Sequence, residues 1–314
     1  MSKFIAVTLG DPAGIGPEIV AASIAAADGA LRRRLRVYCD QPILEQAFAV
    51  VGASMPALTI EDRGVLSAAD VVAGQPDEQS GAAQIAYLES AIAAAKSGNV
   101  AALVTAPISK LWARRVGFEF PGHTELLGQR LNADSVAMMF AGPRFRVVLA
   151  TIHERLADVP KVLTSERIVT AASLAIESVV RDFGVDTPSV GVLGLNPHAG
   201  EGGMFGDEEK LCIVPAIDSL RSAFPYAHID GPLVPDAAYR SHYDLYVAMY
   251  HDQALIPVKL VDDDASVNVT LGLPIVRTSP DHGVAYDIAG RGVARSAPMT
   301  AALDLAVAMM VNRD

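Results

Sequence analysis

The chain has 314 residues, 51% of them hydrophobic, with a formal net charge of −11 and two cysteines. That length asks for two lobes or one large domain, and the hydrophobic share suffices for a sizeable core. The acidic balance argues against non-specific nucleic-acid binding, and two cysteines exclude a disulfide framework or a thiolate zinc site.

Cys39 and Cys212 read as buried free thiols. No apolar run reaches the roughly 18–20 residues of a membrane span. The opening MSKFIAVTLGDP lacks the layout of a secretory signal, so a cytoplasmic protein is expected.

Phe4 to Leu9 reads as a buried strand, closed by the block GDPAGIGPE (Gly10–Glu18) and followed by a helix from Ile19 to Ala27. Pro17 stands where a first helical turn tolerates proline. Glycines there allow close backbone approach, and a helix N-terminus favours negative charge. The spacing matches neither the dinucleotide fingerprint nor the phosphate loop, and a tight strand-to-helix turn is an equal alternative. A second strand is expected at Arg36 to Cys39 and a helix from Ile43 to Val51. Residues 55–81 are irregular, with short edge strands expected at Thr59 to Ile60 and Asp70 to Val72. An alanine-rich helix runs from Ala82 to Ser97, and a buried strand from Ala101 to Thr105 ends in Ala106-Pro107-Ile108-Ser109-Lys110. This alternation means βαβ units and a largely parallel sheet.

Pro121-Gly122-His123-Thr124-Glu125 leads into a helix, with Thr124 placed to cap it and His123 beside its amino end. Strands Ser135 to Phe140 and Arg144 to Leu149 flank the turn Gly142-Pro143. A helix from Thr164 to Phe183, a strand from Ser189 to Leu193 and a helix from Glu208 to Ser222 follow. Leu245 to Met249 is another buried strand, with His251, Asp252 and Gln253 just past its carboxyl end, where open α/β sheets bind ligands.

His153, His198 and His251 each follow an apolar strand, and that shared position suits a divalent ion better than any one of them alone. Each read singly is as well explained by capping a turn. His228 and His242 lie in polar connections and are expected to be solvated. Lys259, Asn268 and Arg277 form a candidate phosphate or carboxylate clamp beside apolar strands. Asp281, His282 and a glycine-punctuated loop complete this passage.

The blocks GDPAGIGPE, GHTE, GLNPHAGEGG, GPLVPD, AMYHDQ and VNVTLGLPIVRTSPDHG, with the strand-end His153, resemble the 4-hydroxythreonine-4-phosphate dehydrogenase family of the vitamin B6 pathway over essentially the whole chain. HGVAYDIAGRG is similar to the adenine-side loop of isopropylmalate and isocitrate dehydrogenases. The resemblance implies a two-lobed α/β/α fold with an active-site cleft between the lobes. One lobe would take residues 1–120 plus 275–314, on the nucleotide side. The other would take residues 121–274, with metal, substrate and dimer contacts. It implies a homodimer whose partner completes the site, and one divalent ion (Zn, Mg, Mn or Co) on His153, His198 and His251. Substrate phosphate would fall to His123, Thr124, Lys259, Asn268 and Arg277, and NAD or NADP to His282, Gly283, Asp287 and Gly290.

The implied reaction oxidises 4-phosphooxy-L-threonine and decarboxylates the product to 3-amino-2-oxopropyl phosphate. Asp236 is one expected proton acceptor and metal-bound hydroxide another, with His251 the second catalytic residue. Glu154-Arg155 after His153 and the acidic run Asp262-Asp263-Asp264 depart from the family pattern. They keep open a paralogue acting on D-threonate or D-erythronate 4-phosphate. A phosphate acyltransferase on a related fold is the alternative from another class. A non-catalytic binding protein is disfavoured.

Overall fold

The computed structural model describes residues 4–313 and divides into two compact units. The first takes the chain up to Ala133 together with Leu273–Met310, and the second takes Asp134–Gly272 and the residues from Val311 on.

The first unit opens with β1 (Phe4–Thr8), α1 (Gly16–Ala26), β2 (Leu35–Cys39), α2 (Gln41–Val50), β3 (Thr59–Asp62), α3 (Glu78–Lys96) and β4 (Val100–Thr105). β1 lies between β2 and β4, and β3 edges β2, all parallel. Ile5, Ala6 and Val7 are fully buried, as are Leu103 and Val104. Consecutive buried residues mean both faces are covered, so these strands read as continuous apolar runs instead of alternating ones. α3 begins earlier than the apolar pattern because a capping box starts it. Asp77 accepts the Ser80 N–H at 2.8 Å, and the Ser80 hydroxyl accepts the Asp77 N–H at 3.0 Å. The strand expected at Asp70 to Val72 is absent. Asp70 instead closes a 3-10 turn over Ala68–Asp70, accepting from Ser67, and Val72 makes one isolated bridge to Gln75. α4 (His123–Arg130) also belongs here, so residues 121–133, grouped with the second lobe on sequence, sit in the first unit. Arg130 pairs with Glu89 of α3 at 2.9 Å.

The second unit carries β5 (Ala137–Ala141), β6 (Arg146–Leu149), α5 (Ser165–Phe183), β7 (Ser189–Leu193), α6 (Val214–Ala223), β8 (His228–Leu233), β9 (Leu245–Ala248), α7 (His251–Asp262) and β10 (Val267–Leu271). Its strand order is β10-β5-β6-β9-β7-β8. The first two pairings are antiparallel and the rest parallel. α5 is capped by Thr164, whose hydroxyl accepts the Arg167 N–H, and it stops at Gly184 with φ 70°. Ile168, Ala172, Ala175, Ile176 and Val179 are buried along one stripe of α5, which packs on β5, β6 and β9. The helix expected over 208–222 is a π turn, Glu209–Ile213, followed by α6. The Glu209 side chain is committed to the loop before it, as described below.

The chain then returns to the first unit with β11 (Val276–Pro280), parallel to β4, and α8 (Ala297–Asn312). Among the described residues no helix is long and apolar enough to cross a membrane.

Candidate active site

Parallel order explains why residues far apart in sequence meet in the second unit. β9 lies between β6 and β7, and all three point the same way, so their carboxyl ends share one edge. His153 follows β6, His251 follows β9 and His198 follows β7. The β6 and β9 ends are laced together. Thr151 donates both its N–H (3.2 Å) and its hydroxyl (2.7 Å) to the Met249 carbonyl. Two residues beyond each, the His153 and His251 rings lie 5.9 Å apart between centroids. They line a cavity of about 320 Å³ with Thr151, Glu154, Tyr250 and Asp252. Asp252 Oδ1 lies 2.7 Å from Nδ1 of His251. A proton there fixes the tautomer and leaves Nε2 as a lone-pair donor.

His198 occupies a different setting. Residues 198–202 run through left-handed backbone, with φ of 55, 50, 79, 41 and 66°. For His198, Ala199 and Glu201 that conformation is strained and is held from outside. Glu209 does the holding, accepting the N–H groups of Leu195 and Asn196, both at 2.8 Å, and the Asn196 amide at 3.0 Å. Burial raises its carboxyl, but the Asn196 and Leu195 donors outweigh this and keep it below the usual range. Gln253 bridges two strand ends, accepting the Met249 N–H and donating to the Gly194 carbonyl, each at 2.7 Å. The His198 ring lies 6.2 Å from Phe205. Among the described residues no three His, Cys, Asp or Glu side chains converge as a metal cluster. The imidazole pair, with an acceptor fixing one tautomer, fits a divalent ion, and His198 stands on the adjoining strand end.

The remaining second-unit candidates are dispersed. Lys259 is exposed in the last turn of α7, a helix where the sequence suggested an approach beside strands; at about 1.5 Å per residue it is roughly 12 Å along the axis from His251. Asn268 is half-buried on β10, and Asp236 is exposed on a single helical turn, Pro235–Ala238. The departures from the family pattern have local uses. Asp262 accepts the backbone N–H groups of Arg144 and Phe145, closing the β5–β6 turn. Glu154 pairs with Arg167 at 3.4 Å and Arg155 with Asp158 at 3.7 Å.

The first unit gathers the other candidates. Arg277, on β11, is 3% exposed and donates from Nη2 to the Thr105 hydroxyl at 2.7 Å. Burial pushes its guanidinium down to about 9, with Glu125 pulling the other way, so it stays charged at neutral pH. His123 opens α4 as its first residue, Gly122 being the cap. Thr124 is therefore the second residue of the helix and not its cap, because the helix starts two residues earlier than a Thr124 cap would place it. Burial, then Arg277 and Lys110, hold the His123 ring well below its ordinary pKa, so it is neutral. Its Nε2 is buried and meets no hydrogen-bond partner among the described residues.

Lys110 is a residue the sequence argument passed over. Its Nζ lies 3.8 Å from where a side chain on Gly122 would begin. Gln84 fixes the backbone just before it, accepting the Ser109 N–H at 2.7 Å. The signal was available, since Lys110 follows strand β4 much as the three histidines follow theirs. Two cations, a neutral imidazole and a helix amino end make a candidate anion site.

The loop after β11 carries His282, Gly283, Asp287 and Gly290. Asp287, Gly283 and Gly290 are exposed. His282 Nδ1 lies 3.0 Å from the Gly283 carbonyl, and its buried Nε2 has no hydrogen-bond partner among the described residues.

Residues 24–306 match the family described as pyridoxal phosphate biosynthetic protein PdxA. A 4-hydroxythreonine-4-phosphate dehydrogenase of Desulfosudis oleivorans is 43% identical, covering 96% of this chain and 95% of that protein. The crystal structure of 4-hydroxythreonine-4-phosphate dehydrogenase from Klebsiella pneumoniae superposes with a TM-score of 0.87 at 35% identity, over 100% of this chain and 99% of that one. A terephthalate 1,2-cis-dihydrodiol dehydrogenase from Burkholderia xenovorans follows at 0.69 and 31%, over 98% of both chains. A phosphotransacetylase from Staphylococcus aureus (TM-score 0.54, 13% identity) and an isocitrate dehydrogenase from Methylococcus capsulatus (0.52, 14%) share the fold alone.

Proposed function

Because this chain belongs to the family of the pyridoxal phosphate biosynthetic protein PdxA, we propose that it oxidises 4-hydroxythreonine 4-phosphate with NAD or NADP, yielding 3-amino-2-oxopropyl phosphate after decarboxylation. The observation that carries this reading is the anion site of the first unit. A buried arginine, a lysine and a neutral histidine with a free ring nitrogen stand at the amino end of α4. Such a site selects a phosphate, and an unphosphorylated diol carboxylate would leave it poorly filled.

In this reading Arg277, His123 and Thr124 hold the phosphate, and Lys259 and Asn268 also bind substrate. Binding there supplies energy remote from the reacting carbon, which orients the secondary alcohol. His153 and His251, with His198 on the adjoining strand end, would hold one divalent ion (Zn, Mg, Mn or Co), which would supply Lewis acidity when bound. Asp252 keeps His251 in the tautomer that can ligate. His282, Gly283, Asp287 and Gly290 receive the dinucleotide, the hydride acceptor. Asp236 takes the hydroxyl proton.

The enzyme is a homodimer in this reading. α7 leaves Ile256, Leu260 and Val261 exposed, and Met204, Phe205 and Leu211 are exposed in the same unit, apolar side chains that a second copy would cover in this reading.

The test is NADH formation by metal-reconstituted enzyme on 4-phosphooxy-L-threonine and on D-threonate 4-phosphate, each with and without chelator. Chelator-sensitive turnover of the first substrate is expected. Turnover of the second alone would overturn the substrate assignment, and turnover unaffected by chelator would overturn the metal.

A further inference from the structure

The GDPAGIGPE block takes no part in either patch, yet its two carboxylates are buried, Asp11 at 0% and Glu18 at 3% exposure. Both reach the loop that follows β11. Glu18 accepts the Gly290 N–H on Oε1 at 2.8 Å and the Gly292 N–H on Oε2 at 2.9 Å. Asp11 accepts the Tyr286 hydroxyl on Oδ2 at 2.6 Å while its Oδ1 accepts the Ala13 N–H at 2.9 Å. Between them the Ile15 N–H donates to the Val284 carbonyl at 2.9 Å. The contact is close enough to need glycine. A Cβ on Gly14 would lie 2.8 Å from the Val284 oxygen, and one on Gly74 would lie 2.7 Å from the Tyr286 oxygen.

The loop is thus gripped by its main chain at 284, 290 and 292 and by the Tyr286 hydroxyl. Gly290 and Gly292 hold left-handed φ of 76 and 66°. A glycine-bearing loop with such backbone would otherwise sample many conformations and lose that freedom on binding a ligand. Hydrogen bonds to ionised acceptors are the strong ones, and both Glu18 oxygens are spent on loop N–H groups. Both carboxylates are therefore committed to this loop or to its anchoring turn.

We propose that Glu18 and Asp11 are positioning residues for the dinucleotide, fixing the 284–292 main chain so that His282, Gly283 and Asp287 meet the nucleotide preorganised. This rests on the reading of that loop as the dinucleotide site. It gives the first glycine-rich block a role that neither a phosphate-binding turn nor a simple strand-to-helix connection supplies.

The experiment uses full-length, metal-reconstituted enzyme, with Kd for NAD and NADP by calorimetry and KM and kcat for dinucleotide and phosphorylated substrate measured separately. The variants are Glu18→Gln, Glu18→Asp, Tyr286→Phe and, within the loop, Asp287→Ala. Glu18→Gln keeps one acceptor and turns an amide against the second N–H. Its dinucleotide Kd and KM should rise about tenfold, as for one lost charge-assisted hydrogen bond, with substrate KM and kcat within about twofold. Glu18→Asp should recover part of that loss. Tyr286→Phe removes only the hydroxyl on Asp11 and should raise dinucleotide KM about threefold in a chain that still folds.

If Glu18→Gln and Tyr286→Phe lower kcat or melting temperature but leave dinucleotide Kd unchanged, the residues are structural and the proposal fails. If the wild type binds neither dinucleotide, or Asp287→Ala leaves their affinity unchanged, the reading of the loop fails and the proposal with it. Weaker binding in Asp287→Ala alone overturns the proposal and leaves the reading intact.

Discussion

Replacing Arg277 by methionine is expected to weaken substrate binding and strengthen the fold together. The cation is 3% exposed, and burial takes its guanidinium from 12.5 down to about 9. At about 1.4 kcal/mol per tenfold change in proton affinity, holding it charged weighs roughly 4–5 kcal/mol against folding. That is a ceiling, because the neighbouring Glu125 and the Thr105 hydrogen bond leave with it. A gain of about 2 kcal/mol is the expectation, in the range for replacing a buried charge by an apolar side chain. The sign follows from linkage. A base whose folded pKa lies below its unfolded one imposes its full penalty below the folded value and loses it only as pH rises past that value. At pH 7 the penalty is present and methionine removes it. The phosphate meanwhile loses a planar two-point partner worth about 3 kcal/mol, so substrate KM should rise about a hundredfold. Urea unfolding followed through the single tryptophan, Trp112, gives stability, and initial rates give KM. Inorganic phosphate should raise the wild-type midpoint and leave the variant's unmoved. A lower midpoint with unchanged KM would refute the reasoning, because Arg277 would then be a structural cation.

Lys110→Met should raise substrate KM about tenfold, less than Arg277→Met, since an exposed ammonium contributes less than a buried fork; unchanged KM would remove Lys110 from the site. Arg313→Ala should cost about 2–4 kcal/mol in chemical unfolding, because Arg313 donates to the fully buried Asp182 side chain at 2.6 and 3.0 Å. Burial raises the Asp182 carboxyl, but Arg181, Arg313 and Ser178 bring it below its usual value. That stability is therefore present above about pH 4 and lost as pH falls through the folded pKa, so wild type and variant should converge in acid. His153→Ala should abolish chelator-sensitive turnover and weaken Zn binding by calorimetry at least tenfold, and retention of both would remove it from the metal site.

The sheet was readable because its strands are apolar on both faces, so β1, β4, β7 and β9 stand out as continuous runs. Starts and stops were harder to place. α3 begins on Asp77 and Ser80, whose capping exchange leaves no apolar period, and α4 begins on Gly122, so Thr124 looked like a cap it is not. The helical course of α7 was obscured because Pro257 interrupts it and Ile256, Leu260 and Val261 face outward, giving no clean apolar stripe. The strand-end histidines were legible as a class. Which of them meet depends on β9 lying between β6 and β7, and sequence order does not disclose that. Glu18 and Asp11 were illegible for a related reason, since their partners lie more than 270 residues away.

An acidic chain that binds a phosphorylated substrate poses a problem in electrostatics, and the answer lies in where the charges sit. With 36 acidic against 25 basic side chains, the far field repels an anion. Several carboxylates are withdrawn from that field into the fold. Asp182 is spent on two arginines, Asp262 on the Arg144 and Phe145 N–H groups, and Glu18 on Gly290 and Gly292. The cation that matters is withdrawn as well. Arg277 is buried, and in the proposed site it would act at hydrogen-bond range in a low-dielectric setting, where a charge pair is worth several times its value in water. Keeping His123 neutral completes the arrangement. A protonated ring would add a third positive charge beside Arg277 and Lys110, whereas the neutral ring still offers a nitrogen for a hydrogen bond. Local selectivity for phosphate and an acidic exterior are therefore compatible, because the first depends on buried donors and the second on charges left in water.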